Sequence, residues 1–193
     1  MAGKQAKILA GPDIRRLAKI AKGTRYPERD ITTILLSAKA GLRACEIAGL
    51  TWAMVLDAND RLSWFIEVRD SISKRGRGRV VPLNRELRQA LIALYRYSSP
   101  DKDDPVIESE RGGHMRPMAI VNWFARLYRR SGLSGCSSHS GRRTFITNAA
   151  RQVHRVGGSL RDVQQLAGHA SLAMTQRYIE AHSTAKRAVV NLI

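Results

Sequence analysis

Between residues 51 and 83 the apolar side chains fall in two-residue steps: Trp52, Met54 and Leu56, then Leu62, Trp64, Ile66 and Val68, then Val80, Val81 and Leu83. On either side of this stretch they recur every third or fourth position. A period of two lines one face of a strand and a period near 3.6 lines one face of a helix. The chain must therefore seat a short β element inside a helical body. The expectation is an α+β fold, mainly α-helical, with one small antiparallel sheet. The turn SISKRGRGR, residues 71–79, joins the last two strands, with Gly76 and Gly78 allowing tight backbone and Lys74 near the tip.

The helical segments follow from their apolar spacing. Residues 12–22 carry Ile14, Leu17, Ala18 and Ala21 among basic residues, with Asp13 in the first turn. Residues 28–40 continue with Ile31, Ile34, Leu35 and Ala38, Gly41 breaks the pattern, and residues 42–50 start a new helix with Arg43 in its first turn. A guanidinium there faces the like sign of the helix dipole, so it needs an arriving anion or a neutralising carboxylate, and Glu46 three residues on is a candidate for the latter. Residues 84–97 form a helix with Leu87, Ala90, Leu91, Ala93 and Leu94 inward. Val106 and Ile107 suggest a short strand, and residues 118–130 a helix that buries Ile120, Trp123, Phe124 and Leu127. The acidic SSPDKDDP, residues 98–105, reads as a solvated loop rather than a metal site.

Residues 138–178 hold an unusual supply of polar reactive groups in an otherwise apolar-periodic helical stretch. His139 and Arg142, three apart at a helix opening, project from one end of one face. Leu166 and Ala167 close a second helical run, Gly168 breaks it, and His169 follows on a short turn. In the run 172–179, Leu172, Thr175 and Ile179 share the buried side, which leaves Tyr178 about one hundred degrees from its centre and free to look into a cleft.

A chain of 193 residues can bury one full core, and the 33 Lys and Arg against 16 Asp and Glu leave a formal charge of +17. That excess is spread through helices and loops, which suits a polyanion or the face of an acidic protein. Cys45 and Cys136 stand far apart with no zinc-ligand spacing, so neither a metal nor a disulfide framework is expected. No apolar run approaches the ~20 residues that span a bilayer, and the first residues lead into no signal-peptide core, so the expectation is a soluble cytoplasmic protein without membrane partners.

Three motifs stand in order: GLRACEIAGL (41–50), HSGR (139–142) and LAGHASLAMTQRY (166–178), with Lys74 in an RxVPL-type hairpin between the first and second. Over residues 10–182 the chain resembles the catalytic domain of the tyrosine recombinases, the phage integrase family. The resemblance implies a site-specific recombinase or integrase that cuts and rejoins DNA through a 3′-phosphotyrosine, with Tyr178 as nucleophile. It implies that Arg43 and Arg142 grip the scissile phosphate, as planar guanidinium forks match phosphate oxygens. Lys74 becomes the general acid to the leaving 5′ oxygen, His139 an acid/base partner of the tyrosine, and His169 a phosphate hydrogen-bond donor. The bond energy stays in the covalent intermediate, so no cofactor is implied.

The implied partners are double-stranded DNA, further copies of the chain in a tetrameric synapse, and accessory DNA-bending proteins at the nucleoid. On this reading residues 1–182 are a single catalytic domain with no N-terminal core-binding domain. The tail 183–193, with Val189, Val190, Leu192 and Ile193, suits docking on a neighbouring subunit and folding back on its own core equally well. Two alternatives share the motifs: a type IB topoisomerase-like enzyme and a DNA-binding regulator that keeps the fold without turnover. Two positions depart from the family pattern, Arg143 where His is common and Cys45 where a small hydroxyl residue is common.

Overall fold

In the computed structural model, which describes residues 6–74 and 76–178, several helices begin at residues suited to a helix start. α1 (Gly11–Ala21) takes Pro12 in its first turn, where a missing N–H costs nothing, and Asp13 Oδ2 accepts a bond from Ala10 N at 2.8 Å. α2 (Pro27–Lys39) likewise opens on proline and buries Ile34, Leu35 and Leu36. α3 (Ala44–Gly49) follows at once, with Arg43 at its cap. β1 (Phe65–Val68) and β2 (Arg79–Pro82) pair antiparallel, with Phe65 opposite Pro82 and Val68 opposite Arg79. α4 (Arg85–Ser98) is capped by Asn84, whose Oδ1 accepts from Leu87 N at 2.9 Å. α5 (Pro117–Arg130) and α6 (Ser140–Gln152) complete the larger helices, and α7 (Leu160–Ala167) and α8 (Leu172–Gln176) end the described chain.

The mainly helical α+β expectation holds, with two strands in the sheet. Two further stretches expected to be extended are not. Trp52 and Met54 lie in one turn of 3₁₀ helix, Trp52–Met54, and both are buried. A single turn wedged into a core hides two residues two apart, which imitates the alternation of a strand. Trp52 packs edge-on against Tyr95 at 5.0 Å between centroids. Leu56 and Leu62 meet only in an isolated bridge. Val106 and Ile107 are also buried, but they sit between isolated bridges at Pro105 and Glu108 and no strand runs beside them to make a ladder. Val80 and Ala93, both placed inward by periodicity, face solvent. Trp64 is exposed too, and the Arg88 guanidinium covers its ring at 4.2 Å.

The chain divides into two compact units, Met1–Phe145 and Ile146–Ile193. The first holds one apolar core, in which Leu17, Leu36, Trp52, Ile66, Leu91 and Phe124 are almost wholly enclosed. In the second, Ser159 caps α7 by accepting from Arg161 N at 3.2 Å, and Gly168 ends it in a left-handed turn at φ +59°. Leu172 was expected inward and is 40 % exposed, whereas Thr175 is fully buried. An α8 of five residues is too short to present a full apolar stripe. Ile179 and the tail 183–193 lie outside the described residues. Among the described residues no helix is long and apolar enough to cross a membrane.

Candidate active site

Four of the six candidate residues belong to the first unit. Arg43 caps α3, and its own backbone N–H reaches Glu46 Oε2 at 2.8 Å while its Nη1 reaches Glu46 Oε1 at 2.7 Å. This is the carboxylate that the helix start required. Glu46 is fully enclosed and also receives Arg79, Nη1 to Oε1 and Nη2 to Oε2, each at 2.9 Å. Burial pushes the Glu46 carboxyl up. The paired bonds and charge of Arg79, then the bond and charge of Arg43, outweigh this and bring it down from 4.5 to about 2.

Arg142 projects from the first turn of α6 and is 4 % exposed, donating Nη1–H to the Gly41 carbonyl at 2.6 Å. The loop between α2 and α3 allows this because Gly41 sits at φ +65°, and a Cβ there would fall 2.4 Å from the Phe145 ring. His139 immediately precedes α6, and its carbonyl accepts the first helical bond, from Arg143 N at 2.9 Å. Partial burial lowers its imidazole pKa below 6.5, and the charges of Arg142, Arg43 and Lys74 lower it further. Three cations from three separate parts of the chain thus act on one ring, which stays neutral at pH 7 and able to accept a proton.

Lys74 is exposed on the turn between a short 3₁₀ segment, Asp70–Ile72, and β2. Asp70 closes this loop. Its Oδ1 accepts from Gly78 N at 2.5 Å, and its carbonyl accepts from Ser73 N and Ser73 Oγ, both at 3.1 Å.

The other two candidates belong to the second unit. His169 follows Gly168 and is 6 % exposed, with Nδ1 3.0 Å from Thr175 Oγ1 and its backbone N–H donated to Gln164 O at 3.1 Å. Tyr178 lies just past the end of α8, half-buried, its ring stacked on His169 with centroids 5.4 Å apart and planes 26° from parallel. Its backbone is held on both sides, by N–H donation to Thr175 O at 3.0 Å and by Thr147 Oγ1 donating to its carbonyl at 3.4 Å.

Periodicity missed the part played by Arg79. The signal was present, because Arg79 stands two residues before Val81 on β2 and opposite Val68, so it shares the buried face with both. Among the described residues no group of three or more His, Cys, Asp or Glu could hold a metal ion. The cations, the neutral imidazole and the enclosed carboxylate suit the binding of an anion and the movement of protons beside it.

The profile of the phage integrase family matches residues 7–185. The chain belongs to that family. Among similar phage integrase family proteins, the tyrosine recombinase XerC of Methylobacterium sp. (strain 4-46) is 32 % identical over 187 residues, covering 92 % of this chain and 53 % of its own length. The XerC of Xylella fastidiosa (strain M23) is 28 % identical over 176 residues, covering 91 % of this chain and 56 % of its own. The chain thus spans about half the length of the curated relatives it matches. Of the solved structures, XerA recombinase superposes with a TM-score of 0.74 at 26 % identity, covering 98 % of this chain and 65 % of that one. The Tn1549 transposon integrase, in complex with a circular-intermediate DNA, gives 0.76 at 20 % identity, covering 100 % of this chain and 67 % of its own. At that identity it speaks to the fold alone.

Proposed function

We propose that this family member is the catalytic part of a site-specific recombinase or integrase that breaks and rejoins DNA strands through a 3′-phosphotyrosine. The observation that carries the reading is the set Arg43, Lys74 and Arg142 acting together on a neutral His139. Metal-free strand cleavage needs cations on two non-bridging phosphate oxygens, a nucleophile and a proton for the leaving oxygen. Arg43 and Arg142 supply the cations, with donors that strengthen as charge builds in the transition state. Tyr178 attacks phosphorus, the P–O5′ bond breaks, and Lys74 protonates the departing 5′ oxygen. A guanidinium cannot give up that proton, so Lys74 suits the role where its arginine neighbours do not. His139 takes the phenolic proton, and His169, beneath the tyrosine ring, donates to the phosphate. A 5′ hydroxyl of another strand then reverses the chemistry and releases Tyr178. On this reading residues 1–182 are one catalytic domain.

Double-stranded DNA is the substrate, consistent with the formal charge of +17. Strand exchange between two duplexes calls for several copies on DNA, a tetrameric synapse, with accessory bending proteins at the nucleoid in the cytoplasm. Two structural neighbours support binding to DNA: a lambda integrase dimer is bound to a COC' core site, and XerH to its difH substrate in a pre-cleavage complex. The test is a nicked duplex carrying the site this protein selects from a random-sequence pool, run on a denaturing gel. A covalent adduct that disappears in Tyr178→Phe bears the proposal out. Selection of a site with no adduct in the unaltered chain overturns it in favour of a DNA-binding regulator.

A further inference from the structure

Arg79 belongs to neither the phosphate-binding nor the proton-transfer groups, yet it holds both oxygens of an enclosed carboxylate. Its side chain is 5 % exposed, Glu46 is wholly enclosed, and its two terminal nitrogens each hold one carboxylate oxygen at 2.9 Å. Of the roughly four acceptor sites on a carboxylate, Arg79 takes two and the Arg43 backbone N–H, 2.8 Å from Oε2, takes a third, which leaves one for a second guanidinium. Arg43 accordingly makes one side-chain contact with Glu46, Nη1 to the shared Oε1 at 2.7 Å. Of five guanidinium donors, Arg43 commits one to Glu46 and keeps the others for an incoming anion. We propose that Arg79 is a positioning residue that keeps Glu46 from closing on Arg43, so that the Arg43 fork stays open toward the phosphate. The proposal rests on the strand-transfer reading of the site.

The chemistry behind it is a competition for one buried anion. Glu46 is held ionised, so its pull on any nearby cation is permanent at working pH. With Arg79 in place, that pull is met by the strand and by the Arg43 backbone N–H, and the Arg43 side chain is tethered at a single point. Without it, Arg43 is the other guanidinium already bonded to Glu46, and a two-point pair would turn its fork inward. Arg79 also opens β2, five residues after Lys74 in a loop closed by Asp70. One carboxylate therefore registers the lysine hairpin against the helix that presents Arg43.

The discriminating variant is Arg79→Lys, which keeps the buried charge but cannot span both carboxylate oxygens. Arg79→Met tests the full loss, and thermal melting of each variant reports whether it folds. Single-turnover adduct formation on the nicked duplex should slow about 10- to 100-fold in Arg79→Lys, as expected for a misplaced transition-state donor, while DNA affinity changes far less. A second readout needs no turnover. Arg43 is one of the three cations that lower the pKa of His139, so drawing its guanidinium toward Glu46 should move the His139 imidazole titration upward in NMR spectra of free protein. Unchanged cleavage with an unchanged His139 titration in folded Arg79→Lys overturns the proposal, as does a rate loss no larger than the loss of folded protein. If the unaltered chain forms no adduct, the strand-transfer reading falls, and the His139 titration alone then decides the role of Arg79.

Discussion

At the scale of single residues, pH dependence follows from two groups shifted by opposite logic. Glu46 titrates at about 2 when folded, against 4.5 for an unperturbed glutamate, so the folded state favours the carboxylate. Its contribution is complete above the unfolded value and lost as pH falls through the folded one, a difference of roughly 3 kcal/mol. Denaturant unfolding at pH 7 and at pH 3 should show about 2 kcal/mol of that loss, and Glu46→Gln should be less stable at pH 7 with a flatter profile. His139 has a lowered pKa too, but because burial and neighbouring cations disfavour its charged form. Its folded pKa lies below 6.5, so its contribution declines as pH falls below that value. A phosphate placed among Arg43, Lys74 and Arg142 would offset their charge, so DNA binding should raise the His139 pKa, which NMR titration of free and bound protein would measure. Arg142→Ala should slow adduct formation by about 10² to 10³, the cost of one transition-state donor. The site motifs were legible through the family resemblance that GLRACEIAGL, HSGR and LAGHASLAMTQRY carry in order. Arg79 was not, because a charged side chain on an inward strand position carries no periodic signal of its own, only a register that depends on knowing the strand.

Among the elements, the hairpin and the start of α6 decide where reactive groups can stand. Gly141 lies so close to α2 that a Cβ would come 2.3 Å from Ser37 Oγ and 2.9 Å from Ser37 Cβ. Gly141→Ala should therefore destabilise the chain by about 1–3 kcal/mol, as overpacking does, and Ser37→Gly in the same chain should return part of it. Melting curves of the two singles and the double complete that cycle. Most helices were read from sequence to within a residue or two because proline, Asn84 and Gly168 mark their ends, whereas the run expected over 172–179 stops at Gln176 and leaves Tyr178 in a turn. The segments misread as strand, 52–54 and 106–107, are short buried pieces whose conformation is set by neighbours. Trp52 N donates to Asp104 O at 3.1 Å and Ala53 N to Lys102 O at 2.7 Å, partners some fifty residues away that no local pattern announces.

For the whole molecule, the excess of 33 basic over 16 acidic residues sets how binding responds to salt. The logarithm of DNA affinity should fall linearly with the logarithm of salt concentration, at about 0.9 per phosphate neutralised. Arg43→Ala should lower that slope by about one, which titrations across a salt series would detect. The division at Phe145 and Ile146 was invisible in the sequence, because the helical period runs through it from Ser140 to Gln152 with no proline, glycine cluster or polar linker. The sharing of Glu46 by Arg43 and Arg79 bears finally on how such chains can drift over generations. Losing Glu46 deprives two guanidiniums of their shared carboxylate, one of them almost fully enclosed, so that step is harmful alone although a concerted replacement need not be. Diverged copies of this gene should keep positions 43, 46 and 79 as an inherited set, or exchange all three.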